Sequence, residues 1–196
     1  MSLVPSDGGA GVDPALPRVP RVWTSANLLT LLRLVAAPLA AYAVWRRDDG
    51  AALLLFVFAI ATDLLDGPLA RRRGEASALG GLLDHATDAT FVSLGLLACA
   101  YRDLVPLGLP LLVGVAFLQY TLDSRALRGR ALRASRLGRW NGIAYFVLLG
   151  VPVVRDGIGL GWPPDSWVWI LGWLLVGSTL VSIGARGRLW LEARRS

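Results

Sequence analysis

Long apolar runs alternate along this chain with short clusters of Arg, Asp, Gly and Pro. A helix that crosses a bilayer needs about 20 mostly apolar residues. Six runs qualify, over roughly 28–45, 51–70, 78–100, 104–122, 140–154 and 167–185. The pattern predicts an all-α integral membrane protein with six transmembrane helices in one domain, residues 23–196. The fifth run is short and is closed by the Gly/Pro-rich stretch 155–165, after which Trp167, Trp169 and Trp173 open the sixth. Tryptophans at such places fit an interfacial belt or the helix core better than a substrate platform. Residues 1–22 carry Gly, Pro and scattered charge without the basic start, short apolar stretch and cleavage site of a signal peptide, and read as a flexible or interfacial leader.

Composition sharpens this picture. The chain has 196 residues, 55% hydrophobic and 17% charged, which excludes an ordinary soluble domain. Its basic residues are all arginine, and a net charge of +6 suits either nucleic acid or anionic lipid. The hydrophobicity decides for membrane lipids, with no nucleic acid partner. Cys99 is the sole cysteine, so neither an intramolecular disulfide nor a thiolate metal cluster can form. With the N-terminus inside, fifteen arginines fall on one side of the membrane, while Arg46, Arg47, Arg102 and Arg155 fall on the other and Arg33 lies inside the first run. The positive-inside rule then places both termini in the cytoplasm.

Four carboxylates stand in or beside the second and third predicted spans: Asp63, Asp66, Asp84 and Asp88. An aspartate at mid-membrane costs roughly 2.5–3.5 kcal/mol, so four at one level need compensating charge. Asp63 and Asp66 are three apart and Asp84 and Asp88 four apart, which puts each pair on one helix face. An antiparallel hairpin turns both faces toward one small volume. Hard oxygen ligands of this kind suit Mg²⁺ or Mn²⁺, and no His or Cys cluster points to zinc. Gly67, Ser77, Gly80 and Gly81 remove side-chain bulk where a pyrophosphate would approach backbone, and Arg71 stands ready to pair with a phosphate oxygen. His85, the single histidine, reads as a polar neighbour of the site without a ligand role.

The pattern Asp63-x2-Asp66-Gly67-x2-Ala70-Arg71-x8-Gly80-x3-Asp84-x3-Asp88 resembles the full signature of the CDP-alcohol phosphotransferase family. The stretch Asn27 to Arg33 (NLLTLLR) is similar to the nucleotide-contacting entrance of that family's first helix. The resemblance implies an intramembrane di-metal site with two Mg²⁺ or Mn²⁺ ions on Asp63, Asp66, Asp84 and Asp88, and with Asp88 also the base that deprotonates the acceptor. It further implies contacts to the CDP moiety from Asn27, Leu28, Leu29, Thr30, Gly67, Arg71, Ser77 and Gly80. The implied reaction moves a phosphatidyl group from CDP-diacylglycerol to a small polar alcohol, glycerol 3-phosphate among the candidates, and releases CMP. The implied setting is a bacterial inner membrane with the site facing the cytoplasm, and a homodimer is left open.

The acceptor stays open. Where relatives that use glycerol 3-phosphate carry a Gly-Lys-x-Lys-Thr-like stretch, this chain reads Gly138-Arg139-Trp140-Asn141-Gly142, with one cation in place of two. Arg133, Arg136 or Arg139 is a candidate to reach a phosphorylated acceptor, while the Asp84 to Asp88 stretch leaves a CDP-aminoalcohol or inositol-phosphate type transferase as an alternative. A divalent-cation transporter is the alternative from another class, although its carboxylates would be spread along a path rather than gathered at one level.

Overall fold

The computed structural model describes residues 25–72, 78–123 and 136–195, with side chains described over 28–65, 80–122 and 136–188. The leader expected over residues 1–22 lies outside them. Among the described residues the chain is all-helical: α1 (Ser25–Arg46), α2 (Asp49–Arg72), α3 (Ala78–Tyr101), α4 (Gly108–Asp123), α5 (Arg136–Gly157) and α6 (Asp165–Arg195). Each corresponds to one predicted run.

The helices pack in a closed ring: α1 on α2, α2 on α5, α5 on α6, α6 on α4, α4 on α3 and α3 on α1, with α3 also touching α5 across the middle. Helix α1 shows how the sequence builds this ring. Ala36, Ala37, Ala40 and Ala43 are buried on one face, while Leu32, Val35, Leu39 and Tyr42 are exposed on the other. Small side chains let neighbouring backbones approach closely, and large apolar ones turned outward suit a hydrocarbon solvent. Phe91 of α3 joins the ring's centre, stacked on Phe146 of α5 at 6.3 Å and tilted against Phe56 of α2 at 6.4 Å.

One end of the bundle is fixed by a repeated device. Helices α1, α3 and α5 each finish in a left-handed residue, Arg47 (φ 58°), Asp103 (φ 59°) and Gly159 (φ 69°). Behind each, paired backbone bonds close the helix in a Schellman arrangement: Asp48 N to Ala43 O at 3.0 Å, Leu104 N to Cys99 O at 3.0 Å and Leu160 N to Arg155 O at 2.8 Å. The short connections that follow make α1/α2, α3/α4 and α5/α6 antiparallel hairpins.

Lengths depart from expectation in three places. Helix α4 begins at Gly108 rather than 104 and has 16 residues, because the Asp103 turn and Pro106 hold Leu104 and Val105 in a buried loop. Helix α5 runs Arg136–Gly157 rather than 140–154, with Pro152 inside it. Its charged end stays helical because Arg155 pairs with Asp165 at 2.6 Å and donates to the Pro163 carbonyl at 2.7 Å. Asp156 meanwhile accepts from Arg102 at 3.1 Å. Helix α6 has 31 residues rather than the 19 of the apolar run, about 46 Å at the usual rise. Leu28–Arg46, Arg136–Gly157 and Asp165–Arg188 are long and apolar enough to cross a membrane, and Gly108–Leu122 is apolar but shorter.

Candidate functional site: a carboxylate cluster beside a cationic cavity

Three of the four predicted carboxylates meet around one arginine. Arg33, on the buried face of α1, is fully enclosed, and its Nη1 donates to Oδ1 of Asp63 at 3.1 Å, of Asp84 at 3.1 Å and of Asp88 at 2.5 Å. Its Nε lies 3.4 Å from Thr62 Oγ1, which itself donates back to the carbonyls of Phe58 and Ala59. Helical spacing on α3 brings Asp84 and Asp88 to the same face, and Asp63 meets them not through a direct α2/α3 hairpin but because α2 and α3 both pack on α1. Exposure falls from 43% for the Asp63 side chain to 30% for Asp84 and 23% for Asp88, so Asp88 is the deepest of the three.

One guanidinium cannot neutralise three carboxylates, and the cluster retains an excess of negative charge in a partly desolvated setting. That excess fits divalent cations. Ligand atoms of Asp84, His85 and Asp88 also lie within 4.8 Å of one another. Oxygen-dominated donors of this kind favour Mg²⁺ or Mn²⁺. His85 was read from sequence as a bystander, yet it stands within ligand range of two carboxylates, with its ring edge-on to Tyr120 at 5.8 Å.

The remaining predicted residues divide. Thr30 is buried on the same face of α1 as Arg33, one turn before it. Gly80 lies in the first turn of α3, one turn before Asp84. Leu28 is exposed and Leu29 half-buried. The side chains of Asn27, Asp66 and Arg71, the surroundings of Gly67, and all of Ser77 lie outside the described residues, as does Arg133.

Beside the carboxylates a cavity of about 580 Å³ opens between α3, α4, α5 and α6. Asp63, His85 and Asp88 form part of its wall, and Arg139, Arg186 and Tyr120 another part. The Arg186 guanidinium lies over the Tyr120 ring, 5.3 Å from its centroid, which holds the cation against the cavity. The rest of the lining includes the apolar side chains of Val92, Val113, Phe117, Ile143 and Phe146. The α5/α6 seam behind it is tied by Ser178 donating to Asn141 Oδ1 at 2.7 Å and by Tyr145 bonded to Thr179 at 2.6 Å. Arg136 is exposed and does not line the cavity, so of the two described candidate arginines Arg139 is the one that the structure places there. Sequence reasoning missed Arg33 and Arg186. The signal for Arg33 was present, since an arginine inside an apolar span needs a partner. Arg186 had none, being one of several arginines near the C-terminus.

Comparison with known proteins agrees with this geometry. The CDP-alcohol phosphatidyltransferase family profile matches residues 23–182. A Streptomyces coelicolor protein named cardiolipin synthase (CMP-forming) is 31% identical over 188 residues, 90% of this chain and 87% of that protein. A human protein of the same name is 36% identical over 106 residues, 54% of this chain but 35% of its own length. A Cereibacter sphaeroides CDP-diacylglycerol–glycerol-3-phosphate 3-phosphatidyltransferase is 31% identical over 145 residues, 69% of this chain and 66% of that protein. The chain thus spans most of the two bacterial relatives and about a third of the human one. No solved structure matches. On the strength of a profile match that covers α1 through most of α6, the chain belongs to the CDP-alcohol phosphatidyltransferase family and is a transferase of substituted phosphate groups.

Proposed function

We propose that this chain moves a phosphatidyl group from CDP-diacylglycerol to a glycerol hydroxyl of an acceptor that itself carries a phosphate, with phosphatidylglycerol favoured over glycerol 3-phosphate. The observation that carries this reading is the single cavity that joins Asp88 to Arg139 and Arg186. An anionic acceptor seated on the two cations brings its hydroxyl to the carboxylate wall, whereas an aminoalcohol would bring a like charge to them. The apolar part of the lining supports a lipid body on the acceptor. The names of the relatives in Streptomyces coelicolor and Cereibacter sphaeroides are consistent with either acceptor.

In the reaction, Asp88 takes the proton of the acceptor hydroxyl, and the oxygen attacks the phosphorus that bears diacylglycerol. A new P–O ester forms, the P–O bond of the pyrophosphate breaks, and CMP leaves with the electron pair. Asp63, Asp66, Asp84 and Asp88 would hold two Mg²⁺ or Mn²⁺ ions, which supply neutralisation of the pyrophosphate charge when bound. Asn27, Thr30, Gly67, Arg71, Ser77 and Gly80 belong to the CDP side of the site, and Arg139 and Arg186 to the acceptor side.

All six helices cross the membrane in this reading, with both termini and the site on the arginine-rich cytoplasmic side. The convergence of the C-terminal half of α2, the N-terminal half of α3 and the start of α5 on one cavity supports that alternation. Incubating the purified protein with CDP-diacylglycerol, Mn²⁺ and either phosphatidylglycerol, glycerol 3-phosphate, inositol phosphate or an aminoalcohol, while following CMP, tests the proposal. Release of CMP only with the aminoalcohol, or with none, contradicts it.

A further inference from the structure

The position of Arg33 carries a role that the transfer chemistry does not itself require. A buried arginine in the middle of a membrane helix could have served one carboxylate, and it serves three on two other helices through a single nitrogen. Its Nη1 holds one oxygen of each of Asp63, Asp84 and Asp88, at the focus toward which a bound cation would also be drawn. Without any cation these three carboxylates, packed in a partly desolvated cluster, would repel one another and loosen the packing of α2 and α3 on α1. With divalent ions bound, the same guanidinium stands as a like charge close to them.

We infer that Arg33 is the built-in counter-ion of the carboxylate cluster: it holds the site closed while no metal is bound, and competes with metal for the carboxylates. The competition follows from charge. A positive group a few ångströms from a divalent ion weakens that ion's binding by Coulomb repulsion, and the effect is large at the low effective dielectric of a buried site. A packing role, or one of merely orienting ligands, would act in the reverse sense, since loss of an orienting partner typically weakens metal binding about 10–100-fold. The two roles therefore predict opposite signs. Arg33 also fixes Oδ1 of Asp88, so it is a positioning residue for the base, and its removal slows turnover even as metal binds more tightly.

The inference rests on the metal reading of this site and is tested without substrate. Purified full-length wild type, Arg33→Gln and Arg33→Lys are titrated with Mn²⁺, followed by the electron paramagnetic resonance signal of the free ion. Thermal unfolding of each is recorded in chelator and in saturating Mn²⁺. Arg33→Gln is expected to bind Mn²⁺ about tenfold or more tightly than wild type, and to lose stability mainly in chelator. Arg33→Lys, which keeps the charge, is expected to stay near wild type in both measurements. The inference is overturned if Arg33→Gln binds Mn²⁺ equally or more weakly, if it loses as much stability in Mn²⁺ as in chelator, or if Mn²⁺ does not allow it to be recovered folded. A wild type that shows this behaviour but releases no CMP from CDP-diacylglycerol refutes the proposed function and leaves the role of Arg33 standing. Normal CMP release by the wild type with no Mn²⁺ effect in Arg33→Gln does the reverse.

Discussion

Asp88 is the deepest of the three described carboxylates and the one that both meets Arg33 and lines the acceptor cavity. Replacing it with Asn preserves shape and one oxygen able to ligate metal but removes the proposed proton acceptor. Turnover by Asp88→Asn should fall about 10²–10⁴-fold, while nucleotide binding measured by displacement of a labelled CDP-lipid stays close to wild type. A variant that turns over at the wild-type rate would move the base elsewhere. On the acceptor side, Arg186→Gln should raise KM for phosphatidylglycerol about tenfold or more and leave KM for CDP-diacylglycerol nearly unchanged, since charge-assisted contacts to phosphate are the strong ones. Equal rises in both constants would argue against a dedicated acceptor cation. The aspartates were legible in the sequence because spacings of three and four fix a helix face with no knowledge of the fold. Arg33 signalled by its place in an apolar span that it needs a partner, but which partners it meets could not be read, because they lie on other helices: Asp63 and Asp88 are 30 and 55 residues from Arg33.

The six helices could be read from apolar runs, and their ends could not. Hydropathy stops a helix at its first charges, so Arg155 and Asp156 were assigned to a loop, whereas their pairing with Asp165 and Arg102 keeps α5 helical to Gly157. That last residue is held by packing: a Cβ on Gly157 would lie 2.7 Å from Leu53 Cβ and 3.1 Å from the Asp49 carbonyl oxygen. Backbone cannot yield as a side-chain tip can, so Gly157→Ala should cost about 1–3 kcal/mol, read as a lower unfolding temperature in detergent. The neighbouring turn offers the opposite sign. Arg47 closes α1 with φ 58°, where a Cβ is strained, and Arg47→Gly should gain about 1 kcal/mol in the same assay. Loss of stability there would mean that the arginine side chain contributes more than its backbone costs.

At the scale of the whole chain, a closed ring of six helices gathers Arg33, Asp63, Asp84, Asp88, Arg139 and Arg186 from five of them around one end. The far end is tied by the three Schellman turns and by the Arg102, Asp156, Arg155 and Asp165 network. In the topology proposed from the arginine asymmetry, the end that carries the site is the cytoplasmic one. Cysteine introduced at Glu75 in a Cys99→Ala background should therefore react with an impermeant thiol reagent in inside-out vesicles and stay unlabelled in intact cells. Labelling in intact cells would invert the topology. The central claim, that the carboxylate cluster and the cationic cavity together form one phosphatidyl-transfer site, is tested most directly by product stoichiometry in reconstituted membranes. With CDP-diacylglycerol, phosphatidylglycerol and Mn²⁺, one CMP should appear for each cardiolipin formed, chelation should stop both, and fresh Mn²⁺ or Mg²⁺ should restore both. Full transfer in excess chelator, or CMP release without a matching lipid product, would contradict the account.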